Sequence, residues 1–269
     1  MQLIEEIKPQ QSIELLKSLH ILTRDGKINQ DSRRKLKQVY HLYNFIEPVL
    51  KAIDDKNKNF VMVDHGCGKS YLGFILYDLF VKTTLGKVIG VDSRSELVDK
   101  SKKLANKLKF KNMSFEASNI EASKGIFPDS VDMITALHAC DTATDDAISF
   151  GLSKKAKYFF LVPCCQAELS RHLTKNKSIA LKAPLAELWR HRIHTREMGS
   201  HLTNVLRCLL LESQGYKVTV TELVGWEHSM KNELIFAEYV GPKKGNALDR
   251  IDEILNEFGL QELKFRFSF

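Results

Sequence analysis

The stretch VDHGCGKS, residues 63–70, ends the apolar run FVMVD and carries two glycines, a lysine and a serine in the order of a nucleotide-triphosphate loop. That loop needs Gly-x-x-x-x-Gly-Lys-[Ser/Thr], because its first glycine starts the turn whose backbone N–H groups cradle phosphate. Counting back from Gly68, that glycine falls on Val63. The dinucleotide pattern Gly-x-Gly-x-x-Gly fails as well, since position 71 is Tyr71. What fits is Asp-x-Gly-x-Gly-x-small: Asp64, Gly66, Gly68 and Ser70. A strand ends, the chain turns toward a helix, and two residues without side chains let the backbone approach a ligand. Asp64 offers a carboxylate suited to a positively charged amino acid moiety. Lys69 then opens the helix and need not meet phosphate.

Working outward, KVIGVD (Lys87 to Asp92) is a second apolar run ending in an acid. A carboxylate at the end of a second strand accepts the hydroxyls of a ribose. A third strand, MSFEASN, places Asn119 at its end, within reach of an adenine amino group. The cofactor expected is S-adenosylmethionine rather than ATP, bound by Asp64, Gly66, Gly68, Asp92 and Asn119. The competing readings are a helix N-cap for Asp92 and a turn residue for Asn119.

The rest of the chain supplies the frame. Strands are expected in VDMITALHAC, KYFFLVPCC, YKVTVTELV and ELIFAEYV, and helices in YLGFILYDLFVKT, SELVDKSKKLANKL, TDDAISFGLSK and HLTNVLRCLLLESQ. Alternating strands and helices predict a doubly wound, mostly parallel sheet covered on both faces. The short link between the last two strands suits an antiparallel pair. The expected fold class is α/β, a seven-stranded Rossmann-like sheet whose strand order resembles a methyltransferase core, with an N-terminal helical extension. The extension reads from DSRRKLKQVYHLYNFIEPVLKAI, whose apolar residues recur every three or four positions, with Asp31 or Ser32 as its N-cap. The expected boundaries are a helical cap over 1–55, a catalytic domain over 56–240 with an insertion at 166–200, and a C-terminal helix and tail over 241–269.

Five cysteines, odd in number and irregularly spaced, argue against a disulfide framework. The chain shows no apolar run long enough to span a membrane and no secretory leader, so a cytoplasmic protein is expected. The formal net charge of +7 is concentrated between Gly151 and Arg207, where 11 cations face 3 acids. That segment reads either as a solvated face or as a surface for RNA or another phosphate-bearing partner.

The stretches after strands four and five flank the expected position of the reactive methyl group. They hold His138, Cys140 and Asp141 at one lip and Pro163, Cys164, Cys165 and Gln166 at the next. His138 or Asp141 is placed to deprotonate or orient a nucleophile. Cys164 is placed to attack a pyrimidine ring, although the Pro-Cys that such enzymes carry after strand four is missing. His138, Cys140 and Cys164 form a further, irregularly spaced metal reading, and no metal site is assigned. Simple packing is the competing role for every cysteine. The catalytic candidates are His138, Asp141, Cys164 and Cys165.

VDHGCGKSYL, ALHACDTATDDAI, LVPCCQ and EHSMKNELI together resemble one subgroup of class I methyltransferases. Its members carry Asp-x-Gly-x-Gly-Lys-x-x-Leu, a His-x-Cys-[Gly/Asp]-x-[Ala/Thr]-x-Asp stretch, and Cys-Cys after strand five. The subgroup includes the methyltransferase domain joined to a glutathione-transferase-like domain in animals, and it is similar to eukaryotic tRNA 2′-O-ribose methyltransferases. The resemblance spans Arg33 to Val240. It implies that Asp64, Gly66, Gly68 and Asp92 bind cofactor, and that His138, Cys140, Asp141, Cys164 and Cys165 line the cleft. Three departures bear on the substrate. Gln166 and Ala167 stand where the tRNA enzymes have histidines, Asp141 stands where they have glycine, and the cysteines for their zinc modules are missing. RNA is the expected substrate, gripped by Arg190, Arg192 and Arg196, the last two at four-residue spacing on the helix expected for ELWRHRIHTRE. A protein or small-molecule substrate, or a non-catalytic cofactor-binding module, is the alternative.

Overall fold

The computed structural model describes residues 6–117, 127–137, 139, 141–164, 166–175, 185–223, 233–242 and 245–269. The strands are β1 (Val61–His65), β2 (Lys87–Asp92), β3 (Met113–Ala117), β4 (Met133–Leu137), β5 (Tyr158–Val162), β6 (Tyr216–Glu222) and β7 (Glu233–Tyr239). They form one sheet in the order β3-β2-β1-β4-β5-β7-β6. The first five are parallel, and β7 is antiparallel to both β5 and β6. This is the mostly parallel α/β sheet that the alternating sequence requires.

The helices are α1 (Ile13–Ser18), α2 (Gln30–Lys56), α3 (Tyr71–Leu79), α4 (Ser95–Lys107), α5 (Ala143–Ser153), α6 (Glu168–Lys175), α7 (Arg192–Ser213) and α8 (Ala247–Glu257). Two hydrophobic cores lie on the two faces of the sheet. Met62, Met133, Phe160 and Leu234 face α2, α3 and α4. Their chain neighbours Val63, Ile134, Phe159 and Ile235 face α5, α7 and α8. That alternation is the two-residue period of a strand buried on both sides, which is why these strands read as unbroken apolar runs. Each buried Leu, Ile, Met or Phe contributes on the order of 1.5–3 kcal/mol of transfer free energy.

At the amino end of β1 one carboxylate stitches the sheet. Asp132 Oδ2 accepts the Val61 N–H at 2.8 Å and the Asn57 amide at 3.3 Å, which pins the end of α2 beside the start of β1. Two expectations are corrected nearby and at α7. The N-cap of α2 is Asn29, whose Oδ1 accepts the Ser32 N–H at 2.8 Å. The Asp31 and Ser32 positions lie inside the first turn. ELWRHRIHTRE is not one helix: a 3-10 turn covers Leu185–Trp189, and α7 starts at Arg192. α7 then runs unbroken through Gly199, which is a packing position rather than a stop. A Cβ there would meet Ser170 Oγ at 2.2 Å, so the glycine lets α6 and α7 touch.

α6, the 3-10 turn and the start of α7 are held from two sides. Ser170 Oγ donates to the Arg196 carbonyl at 3.3 Å. From the C-terminal side, Arg266 pairs with Glu168 at 3.1 Å, Glu262 contacts the His172 ring, and Trp189 stacks on Phe258 with ring centroids 6.1 Å apart. Among the described residues no helix is long and apolar enough to cross a membrane.

Candidate functional site

The carboxyl ends of β1 and β2 and the turn into α3 build a cavity of about 200 Å³, lined by Asp64, Gly66, Cys67, Gly68, Tyr71, Leu72, Arg94 and Leu137. Gly66 and Gly68 have φ of +64° and +57°, the left-handed region that favours glycine. A Cβ on Gly66 would come within 3.2 Å of Ala139 Cβ. Ser70 also has positive φ, +52°, so the turn winds left-handed at alternate residues. The Cys67 N–H donates to the Val91 carbonyl at 2.9 Å, which fastens the turn to β2. Lys69 is exposed and does not line the cavity.

Asp64 is 2% exposed. Its Oδ1 accepts from Thr135 Oγ1 at 2.9 Å and its Oδ2 from Ser70 Oγ at 3.1 Å. Burial pushes its carboxyl up to about 6, against hydrogen bonds from Thr135, Ser70 and the Gly73 N–H that pull the other way. It stands at the cavity wall and buttresses the turn from within. The adjacent His65 is buried on the other face, with its ring 5.9 Å from that of Phe150 and its Nδ1 without a hydrogen-bond partner. Burial lowers its imidazole to about 4, so it is neutral at physiological pH.

Asp92 ends β2, as the sequence reading requires, and is 4% exposed. Its Oδ2 accepts the Gly68 N–H at 2.7 Å, which ties the two loops together. Both oxygens also face Arg94: Oδ1 accepts from its N–H at 3.0 Å and its Nε at 2.8 Å, and Oδ2 from Nη2 at 3.1 Å. Burial pushes this carboxyl upward, but the Arg94 side chain, the Arg94 N–H and the Gly68 N–H outweigh it and hold it below the usual carboxylate range. The Arg94 guanidinium thus occupies the Asp92 oxygens on the side of the cavity that Arg94 lines. Arg94 is the charged lining residue that sequence reasoning missed, beside the apolar walls Tyr71, Leu72 and Leu137. The signal was available: it stands two residues past the acid, where a long side chain folds back on the loop.

At the carboxyl ends of β4 and β5 the structure describes Asp141 and Cys164. The candidates His138, Cys140 and Cys165, like Asn119 after β3, lie outside the described residues. Asp141 has φ of +51°. Its Oδ1 accepts the N–H groups of Ala167 and Glu168 at 2.9 and 3.0 Å, and its Oδ2 accepts from Arg171 at 3.2 Å. Burial raises this carboxyl, and those backbone and guanidinium bonds more than reverse it, leaving it below the usual range. In this arrangement Asp141 caps the start of α6 and is a weak proton acceptor. Burial pushes the Cys67 thiol above its ordinary value, so it is protonated at neutral pH. Among the described residues no group of three or more His, Cys, Asp or Glu side chains is placed to hold a metal.

Beneath these loops runs a buried polar network. Arg207, 1% exposed, donates to both oxygens of Asp145 at 2.7 Å, to Asn204 Oδ1 at 3.1 Å and to the Asp141 carbonyl at 2.9 Å. Asn204 accepts from Gln166 at 3.1 Å and donates to Glu233 at 2.8 Å. Gln166 therefore braces α7 against the loop after β5. Of the expected substrate-binding arginines, Arg190 pairs with Glu187 at 3.1 Å, Arg196 pairs with Glu197 at 2.8 Å, and Arg192 is exposed on α7.

A family model described as a methyltransferase domain matches residues 34–172. The chain is similar to the glutathione S-transferase C-terminal domain-containing protein of Bos taurus, 28% identical over 142 residues, which are 53% of this chain and 20% of that protein. It spans about a fifth of the length of the curated relatives it matches. Among solved structures it is similar to an SAH-bound methyltransferase of Podospora anserina (TM-score 0.48, 12% identity, covering 87% of this chain and 89% of that one). It is also similar to magnesium protoporphyrin IX methyltransferase from Synechocystis PCC 6803 with bound SAH (TM-score 0.47, 14% identity, covering 84% and 93%).

Proposed function

The chain belongs to the methyltransferase-domain family, and on that premise we propose that it is an S-adenosylmethionine-dependent methyltransferase acting on RNA. The observation that carries the cofactor is the meeting of the two loops. The left-handed Gly66–Gly68 turn lines the cavity together with Arg94, and the buried Asp92 carboxylate behind them joins the two loops by accepting from the Gly68 N–H and the Arg94 side chain. The glycine turn admits the cofactor backbone-close, Asp92 takes the ribose hydroxyls in place of Arg94, and Tyr71, Leu72 and Leu137 give the apolar walls. When bound, S-adenosylmethionine supplies a methyl group on a sulfonium, ready for a nucleophilic oxygen or nitrogen of the substrate. Asp141 and Gln166 hold the loops after β4 and β5 in place beside it.

The RNA reading rests on charge. The cations from Lys154 to Arg196 outnumber the acids among them, and Arg192 and Arg196 lie one turn apart on α7. Surface ion pairs such as Arg196–Glu197 contribute little and exchange readily with phosphate. The odd, irregularly spaced cysteines favour a reducing compartment, in keeping with a cytoplasmic protein.

Methyl transfer from labelled S-adenosylmethionine into cell extract, followed by separate nuclease and protease digestion, tests the substrate class. Label released by nuclease supports the reading; label released only by protease replaces RNA with a protein substrate. Asp92→Ala tests the cofactor assignment by calorimetry. Losing a buried charged acceptor lowers cofactor affinity roughly 10- to 100-fold, and unchanged affinity rejects the ribose role.

A further inference from the structure

The cofactor cavity is not the larger recess of the molecule. A second cavity, of about 610 Å³, opens on the N-terminal extension. Among the residues that line it are Arg33, Arg34, Lys37, Tyr40, His41 and Asn44, all on α2. Arg33, Lys37 and His41 follow one another at four-residue spacing, so they share one face of the helix, about 6 Å apart along its axis. All three are exposed, as is Arg34. For the two arginines the ion pairs are peripheral: Glu6 meets Arg33 at 3.0 Å with both side chains nearly half exposed, and Asp31 reaches Arg34 only at 3.9 Å. Next along the same face, His41 packs edge-on to Phe45 with ring centroids 5.3 Å apart, and Phe45 is 38% exposed. A row of cations continued by an exposed ring pair is the arrangement that tracks a single strand, charges on phosphates and a base against the rings.

The position of this cavity bears on what it takes. Tyr40, one of its walls, donates to Gln11 at 3.4 Å, and Gln11 in turn donates to Asp78 near the end of α3. Tyr71 and Leu72, walls of the cofactor cavity, begin α3. The two cavities thus lie toward opposite ends of a nine-residue helix, about 13 Å long. No lining residue is common to both.

We propose that the α2 cavity is a second RNA-contact site, which holds the phosphate backbone of a single strand at a distance from the methylated residue. The inference rests on the RNA reading and deepens it: the substrate is a polymer long enough to touch both cavities, not a mononucleotide.

The test is equilibrium binding of a fluorescein-labelled oligouridylate to the full chain over a salt series, in wild type, Arg34→Glu/Lys37→Glu and Lys35→Glu. Lys35 is an exposed cation of the same helix that does not line the cavity, so it controls for charge alone. The double variant is expected to bind at least about tenfold more weakly, with a salt slope shallower by about 1.4, two phosphate contacts of a single strand. Lys35→Glu is expected to lose far less. Arg34→Gln/Lys37→Gln, which removes charge without reversing it, is expected to move the same way by a smaller factor. It serves in place of the double variant if thermal melting shows that the latter does not fold. Phe45→Ala is expected to weaken binding severalfold without changing the salt slope.

Wild-type binding that both α2 double variants leave untouched, or an equal loss in Lys35→Glu, overturns the second site while the RNA reading stands. Polyglutamate displacing the oligouridylate from wild type as well as unlabelled RNA does makes the cavity an acidic-peptide site and also overturns it. If wild type binds no oligouridylate at low salt and methyl label is released only by protease, the RNA reading itself falls.

Discussion

The loop after β1 and the loop after β2 meet at one cavity, yet they hold their carboxylates in opposite ways. Asp64 and Asp92 are both almost fully buried. Asp64 is satisfied by two hydroxyls and a backbone N–H, and burial still raises it to about 6. Asp92 has two backbone N–H donors and a guanidinium, and the balance goes the other way. The difference teaches what a buried carboxylate needs. Neutral donors satisfy its lone pairs without matching the lost hydration of the charge, whereas an opposite charge in hydrogen-bonded contact does match it. Asp141, with two backbone donors and Arg171, falls on the side of Asp92.

The severest way to break the comparison is at its most buried example, Arg207 with Asp145. Arg207→Ala leaves a carboxylate stranded in the core, and urea unfolding should show a loss on the order of 3–5 kcal/mol. A loss below about 1 kcal/mol would mean that Asp145 finds other donors.

Next comes a pH signature. Asp64 binds a proton when folded that the unfolded chain releases above about 3.8. Its contribution to stability is therefore complete below that pH and is lost as pH rises through about 6. His65 runs the other way: the unfolded chain takes up a proton below about 6.5 that the folded protein refuses until about 4. Its contribution is complete above the first value and fades as pH falls toward the second. The two neighbours offset one another over nearly the same interval. Asp64→Asn should leave stability that climbs with pH between 4.5 and 6.5, and His65→Phe should leave stability that falls, each by on the order of 3 kcal/mol. Denaturant midpoints that stay parallel to wild type in both variants would remove the offset.

A gentler change sharpens the contrast instead. Arg94→Gln surrounds Asp92 with neutral donors only, as around Asp64, so its carboxyl should titrate higher by carbon NMR. Cofactor affinity should rise severalfold, because the ribose no longer displaces an ion pair. An unmoved titration would show that the backbone N–H groups alone set the Asp92 acidity. At the weak end, Arg196→Ala should alter stability by less than about 0.5 kcal/mol by thermal melting, because its pair with Glu197 is half in solvent.

Much of this was legible in the chain. Met62–Val63, Met133–Ile134 and Phe159–Phe160 are apolar on both faces, so these strands announce a doubly covered sheet before any coordinate is known. The Gly66–Gly68 turn and the acid ending β2 were legible because backbone geometry limits which residues stand there. Partners across the fold were not. Arg207 counts as one more cation of a basic segment, yet it lies among Leu206, Leu210 and Leu211 on the buried side of α7, and its acid belongs to α5. Its place on the apolar stripe was the clue. Asp141 read as a residue to deprotonate or orient a nucleophile because it follows β4; its action as a cap on α6 depends on a residue 26 positions away. Gly199 falls in the segment expected as an insertion, and nothing local in the sequence announces its contact with Ser170 of α6.

The place of β7 bears on how the chain is made. It follows the other six strands of the sheet in the chain, yet it lies between β5 and β6. A ribosome delivering the protein from its N-terminus can complete the five parallel strands early. From then until Glu233 emerges, the YFFLV strand holds an open edge with no neighbour beyond it, and β6 has no sheet to join. Such an edge invites pairing with another chain. The edge of β5 thus stays unpaired while α6, α7 and β6 are made, until the strand that covers it exists.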